Sequence, residues 1–145
     1  MYDLRYATDN DYDFLYELNK ITMMIYVEKI WGWEENLQQK FFSDKFSPKK
    51  YKIIVFGNLD IGTIQVSTNN NDIFIGIIEI LPEYQNKGIG TEIINQIIAD
   101  SKSKNFSRVW LQVFKTNPAK KLYDKLGFST INETDTHYVM ELKLK

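Results

Sequence analysis

The order of apolar and polar residues along the chain predicts strands alternating with helices. Residues 3–7 alternate well enough for a short strand, and Thr8-Asp9 then supplies a helix N-cap. Two amphipathic helical patterns follow, and Pro48 closes the second, which runs over about residues 34–46. The apolar positions are Phe14, Leu15, Leu18, Ile21 and Ile25 in the first pattern and Leu37, Phe41 and Phe42 in the second. The chain therefore begins with a strand and two helices, each with one apolar side.

Three strand-like runs occupy the middle of the chain, at residues 51–56, 61–67 and 73–80. Two turn-forming clusters separate them, Gly57-Asn58 and residues 69–72, and this order is typical of an antiparallel meander. After Gly88 the apolar residues recur at helical spacing, at Ile89, Ile93, Ile94, Ile97 and Ile98. Because β-branched residues are mediocre helix formers, we expect tertiary burial to hold this helix.

The last part of the chain contains one more helix between strands. The strands are predicted at residues 108–113, 128–131 and 136–144, and the helix at residues 118–126. Asn117 suits the N-cap of this helix, and Gly127 suits the left-handed residue that ends it. The whole order predicts an α/β (α+β) fold without internal repeats.

Length and composition fit one domain over residues 1–145. The chain is 43% apolar and 26% charged, and no apolar run reaches the ~18 residues that a membrane span needs. The first residues do not combine a basic region with an apolar stretch, so we expect no secretory signal. We therefore expect a cytoplasmic protein without a membrane partner.

The scarcity of cysteine and histidine narrows the chemistry. The chain has no cysteine, which excludes disulfides, thiolate metal sites and a cysteine nucleophile. His137 is the only histidine, so a multi-histidine zinc site is excluded and a hydrolase triad would have to use this residue. The net charge is −1 and the lysines are scattered, which argues against nucleic acid as the main partner. We expect chemistry without a metal.

Residues 78–91 combine a strand, a proline-marked exit and a glycine-containing helix start. The first turn of a helix has unpaired N–H groups and a partial positive charge of about half a unit, so it binds anions. Gly88 and Gly90 let phosphate oxygens approach these N–H groups, while Gln85, Lys87 and Thr91 add side-chain donors. The pattern favours a phosphate-binding loop, and a plain tight turn is the alternative.

Other phosphate loops fit this stretch less well. In a P-loop the lysine follows the glycines, whereas Lys87 precedes them. A dinucleotide-binding loop has a third glycine where Ile93 stands. An NTPase and a dinucleotide-binding protein are therefore disfavoured.

Two segments together resemble the GCN5-related N-acetyltransferase (GNAT) family. Gln85, Gly88 and Gly90 match its acyl-coenzyme A loop, Q/R-x-x-G-x-G/A. Residues 117–128 resemble a second family segment, in which an asparagine precedes A-x-x-L-Y-x-x-x-G-F. The two motifs occur in the family's order, and the resemblance is strongest over residues 50–132.

The resemblance implies a mixed, mostly antiparallel sheet of six to seven strands flanked by about four helices. It implies an enzyme that transfers an acetyl group from acetyl-coenzyme A to a primary amine of a small molecule or peptide, by direct attack in a ternary complex. The strands ending at Ile80 and Val113 would splay, leaving backbone groups near Ile80 and Leu81 free for the coenzyme. The implied coenzyme contacts are Ile80, Leu81, Gln85, Asn86, Lys87, Gly88, Ile89, Gly90, Thr91, Asn117, Lys120 and Tyr123.

Two side chains are candidates for proton transfer. The family tyrosine matched by Tyr123 is often the general acid, and a phenol with pKa about 10 can protonate a thiolate whose conjugate acid is near 8.5. Some members carry a basic glutamate where Gln112 stands, and an amide is not a base. Glu79 is the nearest carboxylate, and burial would raise its pKa toward neutrality. We assign the base to Glu79 through a water; the alternative is an exposed or lysine-paired Glu79.

The resemblance places the acceptor amine between the first two helices and the last hairpin. The candidate contacts near the first two helices are the aromatic and acidic residues Tyr26, Glu28, Trp31, Trp33 and Glu34. Two further candidates come from later in the chain, Gln112 and His137. Aromatic walls and a carboxylate suit a cationic amine. Trp31 also fits a hydrophobic staple between two helices, and His137 fits a structural histidine.

Other readings of the resemblance remain open. Gln112 favours a coenzyme A-binding sensor or interaction module without turnover as the alternative function. An acetyltransferase associated with nucleic acid would need a basic groove, which the scattered charges do not supply. We expect a monomer or a homodimer.

Overall fold

The predicted order of strands and helices is found in a computed structural model that describes residues 2–145. The strands are β1 (Tyr2–Tyr6), β2 (Lys52–Phe56), β3 (Leu59–Asn69), β4 (Asp72–Ile80), β5 (Arg108–Phe114), β6 (Ser129–Glu133) and β7 (His137–Lys143). The helices are α1 (Tyr12–Trp31), α2 (Glu35–Lys45), α3 (Ile89–Ser103) and α4 (Lys120–Lys125). Within these residues no helix has the length and apolar character needed to cross a bilayer.

The strands form a mixed sheet in the order β1-β2-β3-β4-β5-β7-β6. The pairs β1-β2, β2-β3, β5-β7 and β6-β7 are antiparallel, and β4-β5 is parallel. This confirms the predicted mostly antiparallel sheet with four helices. The chain divides into two compact units, one up to residue 65 together with residues 77–85, the other residues 66–76 and 86–145. The single domain stays a prediction, and each unit is described in turn.

In the first unit, α1 packs on β1 and β2 through a small apolar core. Its buried members are Ala7, Leu15, Tyr51 and Ile53, and Phe14, Phe42, Phe46, Val55 and Ile77 pack against them. The cap predicted at Thr8 is present, because the Thr8 hydroxyl accepts from the N–H of Asn10 and Asp11 completes a capping box. The cap opens a short 3-10 turn, Asp9–Asp11, and α1 follows at Tyr12.

The apolar sides of α1 and α2 are narrower than predicted. Ile21 and Ile25 are 51% and 58% exposed, and the buried positions of α1 end at Leu18. On α2, Leu37 and Phe41 are 40% and 50% exposed. These four residues lie on the predicted apolar sides of the helices but are exposed, because helical periodicity does not reveal how far along a helix its packing partner extends.

Aromatic contacts attach α2 to the rest of the first unit. The ring of Tyr12 meets those of Phe42 and Phe46 edge-on, at 5.4 and 5.0 Å between centroids. Phe46 also stacks on Tyr51 at 5.9 Å. Such pairs contribute about 0.5–1.5 kcal/mol each beyond their buried area, so they hold the C-terminal end of α2 against the start of α1.

In the second unit, β5 is paired on both sides. Asp72–Ile75 of β4 run parallel to Arg108–Leu111, and β7 is antiparallel to all of β5. Arg108 joins three strands, because it contacts Asp72 and Glu141 at 3.0 Å each. Of the isoleucines predicted to hold α3 by burial, Ile89, Ile93 and Ile94 are buried, whereas Ile97 and Ile98 are only partly buried.

Candidate functional site

Two left-handed residues shape the loop before α3. Asn86 has φ 60°, and Gly88, which is the N-cap of α3, has φ 85°. Gly88 provides no side-chain cap, and the N–H of Glu92 donates to the carbonyl of Gly88 at 3.0 Å. Since the first N–H groups of an α-helix have no partner within the helix, those of residues 89–91 point out of its N-terminus. The prediction of a phosphate-binding loop requires such a helix start, and the binding itself stays a prediction.

The space on the β-carbon side of Gly88 is open. A β-carbon built on Gly88 would have no heavy atom within 4 Å, so any larger residue would place its side chain where only solvent now lies. Because α3 has 15 residues, its aligned peptide dipoles add a partial positive charge at this end. The loop can therefore hold a phosphate or pyrophosphate through backbone donors, with the exposed Lys87 close by in the chain.

The end of β4 is more occupied than expected. The Gln85 side-chain Nε2 donates to the carbonyl of Ile80 at 2.8 Å. The N–H of Leu81 donates to the carbonyl of Ile61, also at 2.8 Å. The expectation that the backbone groups near Ile80 and Leu81 are free was therefore wrong for these two groups, because the neighbouring strand and the loop satisfy them. Gln85 ties the start of the loop to the end of β4.

Tyr123 lies on α4 with its side chain inside the second unit. It is 6% exposed, and its ring lies 5.9 Å from that of Phe128. Burial raises the pKa of the Tyr123 hydroxyl to about 12. The side chain therefore does not point to solvent, and the phenol keeps its proton throughout the physiological pH range.

Asn117 caps the turn that precedes α4, whereas the N-cap of α4 itself is Ala119, so the helix begins two residues later than predicted. Asn117 Oδ1 accepts from the N–H of Ala119 at 2.9 Å, and regular helix begins at Lys120. The Lys120 ammonium contacts Asp124 at 3.0 Å and lies 5.2 Å from the ring centre of Tyr138. The Lys115 ammonium lies 5.6 Å from the centre of the same ring, so two cations lie close to Tyr138 in this unit.

Glu79, in the first unit, is a buried carboxylate. It is 7% exposed, and the Asn19 side-chain Nδ2 donates to its Oε2 at 3.0 Å. Burial is the largest influence and raises the pKa of Glu79 to about 7, although hydrogen bonds from Asn19 and Thr22 lower it. The alternative of an exposed Glu79 was wrong, and the carboxyl can exchange a proton near neutral pH.

A groove of about 640 Å³ lies at the turn between α1 and α2. Its lining is mostly apolar, with one carboxylate, and consists of Val27, Trp31, Gly32, Trp33, Glu34, Leu37, Gln38 and Phe41. Trp31 is 64% exposed, which does not fit the staple considered for it. Tyr26 and the exposed Glu28 belong to α1 but not to this lining. The structure thus brings together Trp31, Trp33 and Glu34.

The two remaining candidates lie on adjacent strands of the second unit. Gln112 is exposed on β5, opposite Val139. The His137 ring lies 4.1 Å from that of Phe114, and its Nδ1 is 2.7 Å from the Thr136 hydroxyl. Burial lowers the pKa of His137, so the imidazole is neutral at pH 7 and has local partners, as expected of a structural histidine.

Three structurally important residues were not singled out from the sequence. Asn19 binds Glu79, Gly62 lies against the backbone of Glu79, and Glu35 binds Tyr16, Lys20 and Trp33. Asn19 was detectable, because it is a polar residue one turn after Leu15 on the buried side of the first helical pattern. The other two contacts gave no local signal.

The amino-acid sequence matches a known family and its members. The family model described as the acetyltransferase (GNAT) family matches residues 13–128. A [ribosomal protein bS18]-alanine N-acetyltransferase of Haemophilus influenzae is 36% identical over 61 residues, which is 42% of this chain and 42% of that protein. The aligned stretch thus spans less than half of that relative.

Solved structures share the fold. The PaiA N-acetyltransferase from Thermoplasma acidophilum in complex with coenzyme A has a TM-score of 0.80 at 19% identity, covering 99% of both chains. The spermidine N-acetyltransferase from Vibrio cholerae in complex with coenzyme A and spermine has a TM-score of 0.71 at 20% identity, covering 99% of this chain and 95% of that one.

Proposed function

Because the chain belongs to the acetyltransferase (GNAT) family, we propose that it transfers an acetyl group from acetyl-coenzyme A to a primary amine of a small molecule or peptide. The observation that carries this proposal is the start of α3, where the first N–H groups have no partner within the helix and a β-carbon on Gly88 would meet open space. The N-acetyltransferase relatives and the coenzyme A complex of a protein with the same fold support it.

The coenzyme supplies the thioester, and this chain supplies the contacts that hold it. We assign the pyrophosphate to the N–H groups at the start of α3, within residues 88–91, with Asn86 and Lys87 beside them. A side-chain amide has two N–H bonds, and the one that Gln85 does not donate to Ile80 can reach a phosphate oxygen. Leu81, Asn117 and Lys120 stay predicted contacts of the same ligand.

Tyr123 is proposed as the general acid. Its Oη keeps its proton up to about pH 12, so the acid form is fully populated at neutral pH. A phenol of this pKa gives its proton to a thiolate only if that thiolate is also poorly solvated, because desolvation raises the thiol pKa as well. This role therefore requires the departing thiolate sulfur of coenzyme A to be shielded from water beside the Tyr123 hydroxyl.

Glu79 is proposed as the general base, acting through a water. An amine with pKa about 10.4 is protonated at pH 7, so an acceptor with pKa near the working pH lowers the cost of reaching the neutral nucleophile. The carboxyl of Glu79, with pKa about 7, meets that requirement better than an exposed carboxylate would. Gln112 is not assigned a proton-transfer role.

The groove at Trp31, Trp33 and Glu34 is proposed to receive the acceptor. Its indole faces suit the apolar part of an amine or the side chain of a peptide, and the carboxylate suits a cationic group. Tyr26, Glu28 and His137 stay predicted contacts. The relatives named for ribosomal-protein alanine and for spermidine define the two acceptor classes to test first.

Two measurements test the function. Titration calorimetry with acetyl-coenzyme A should saturate in the micromolar range, and absence of saturation at millimolar ligand would overturn the proposal. A thiol-release assay should then show an acceptor-dependent rate with spermidine or with a peptide bearing an N-terminal alanine.

A second function is favoured by one observation, the exposed amide of Gln112 where some family members have a base. A coenzyme A-binding sensor would bind acetyl-coenzyme A but show no acceptor-dependent thiol release with any amine in the panel. That combination of results would favour the sensor over the enzyme.

A further inference from the structure

The buried carboxylate of Glu79 accepts a hydrogen bond from a side chain of α1. Asn19 Nδ2 donates to Glu79 Oε2 at 3.0 Å, across 60 residues of sequence. Along α1, Asn19 follows the buried Leu15 and Leu18 and precedes the half-buried Thr22. The Thr22 hydroxyl donates to the carbonyl of Leu18 at 2.8 Å, which fixes its orientation. The donor to Glu79 therefore sits on a rigid helix turn.

The other surroundings of Glu79 offer little to hold a negative charge. Tyr51 is the titratable group that faces it, and its own pKa is raised by burial and by the charge of Glu79. Gly62, on β3, contributes backbone but no side chain. The influences on the pKa of Glu79 are burial, Asn19 and Thr22, with no lysine or arginine among them. The amide of Asn19 is therefore the main group that favours the charged carboxylate.

We propose that Asn19 is a positioning residue, whose side-chain amide holds the carboxylate of Glu79 by Oε2 and keeps it in the charged form that accepts a proton. The inference deepens the proposed function, since it rests on Glu79 as the base. An amide suits the task because it donates a hydrogen bond without carrying a charge or a titrating proton of its own. A lysine there would hold Glu79 charged at any pH and make it a weak base.

Direct titration of Glu79 tests the physical link without any turnover. Carbon-13 NMR of the glutamate carboxyls, assigned with Glu79→Gln, gives the pKa of Glu79 in the wild type and in Asn19→Leu, whose side chain has the same number and branching of heavy atoms but no donor. A hydrogen bond to a charged group is worth about 1.5–3 kcal/mol, so the pKa should rise by about one to two units. Asn95→Leu, an exposed position on α3, is the matched control and should leave it unchanged.

A second variant keeps the test decisive if a leucine disturbs the core. Asn19→Asp is isosteric and replaces the donor by a second carboxylate, which should raise the pKa of Glu79 further through like-charge repulsion. An unchanged Glu79 pKa in both folded variants would overturn the inference.

The pH dependence of turnover connects this link to the reaction. The acidic limb of kcat should move to higher pH in Asn19→Leu by the same interval as the NMR pKa, with about a tenfold loss at pH 7 that recovers near pH 9. A merely structural role would lower the rate at every pH, and that result would overturn the inference. If Glu79→Gln is fully active while the NMR pKa still moves, the base assignment fails and the Asn19–Glu79 link stands.

Discussion

A β-carbon on Gly62 would lie 2.4 Å from the backbone oxygen of Glu79 and 3.2 Å from the Cα of Ile80. The chain of β4 thus passes so close to β3 that no side chain fits between them at this point. The absence of a side chain at Gly62 is what allows Glu79 to occupy its buried position.

Gly62→Ala should therefore be strongly destabilising, because the atoms in the way belong to backbone and cannot rotate aside. We expect a loss of about 2–3 kcal/mol in the free energy of unfolding, measured with urea. Gly57→Ala is the comparison, since its β-carbon meets no atom within 4 Å and its cost, about 1 kcal/mol, comes only from its φ of 63°. Equal losses in the two variants would contradict the close approach of β4.

Glu79 should make stability fall as pH rises. Its folded pKa, about 7, is above the ordinary 4.5, so the folded state binds the proton more tightly. The resulting stabilisation is fully present below about pH 4.5 and is lost as pH rises to about 7, amounting to about 3 kcal/mol. Between pH 5 and pH 8, the free energy of unfolding of Glu79→Gln should therefore rise relative to that of the wild type. Parallel curves for the two proteins would argue against a raised pKa.

Gly88→Ala should separate binding from folding. A methyl group there costs about 1 kcal/mol through its left-handed φ, and it adds a side chain at the N-cap of α3, next to the N–H groups proposed to bind the phosphates. We expect the calorimetric Kd for acetyl-coenzyme A to rise at least tenfold. Gly57→Ala imposes a similar backbone restriction at a hairpin and should leave that Kd unchanged. A weakened Kd in both variants would point to global destabilisation.

Tyr123→Phe should reduce turnover and little else. Loss of a general acid costs about 10²–10⁴-fold in rate, while the coenzyme affinity should remain because the ring is retained. Since the pKa of Tyr123 is about 12, wild-type kcat should show no alkaline decline from this group up to pH 10. An unchanged kcat in the variant would remove Tyr123 from the acid role.

Trp31→Ala should affect the acceptor alone. Its side chain is 64% exposed, so the free energy of unfolding should change by no more than about 0.5 kcal/mol. The KM for the accepted amine should rise, with the Kd for acetyl-coenzyme A unchanged. Leu59→Ala, at an exposed apolar position outside the groove, is the control. A KM that does not move would exclude the groove as the acceptor site.

Local signals were enough for most of the secondary structure and for the helix start at Gly88, while phosphate binding there stays a prediction. Thr8, Asn117 and Gly88 each do in the structure what their chemistry predicts from neighbouring residues alone. The family resemblance and the matching fold rest on the same kind of short-range pattern.

Contacts between distant parts of the chain were beyond local reasoning. The hydrogen bond from Asn19 to Glu79 joins residues 60 positions apart, and no sequence pattern pairs them. The exposure of Ile21 shows the same limit, because a helical repeat defines a side of a helix and not the surface that covers it. Even a contact over five residues was missed, because only the folded turn brings the Gln85 side chain to the carbonyl of Ile80.

The path of the chain determines how this protein can be cut. It leaves the first unit within β3 after Gln65, returns within β4 at Ile77 and leaves again after Gln85. Neither unit is one continuous stretch, so no truncated fragment contains the whole of one unit and none of the other. A fragment that stops at Gln85 would lose β5, the parallel partner of Asp72–Ile75, and would leave the backbone N–H and C=O groups on that edge of the half-strand unpaired. Dissection by truncation should therefore yield aggregating pieces, whereas a nick in an exposed loop should leave both halves of the chain associated.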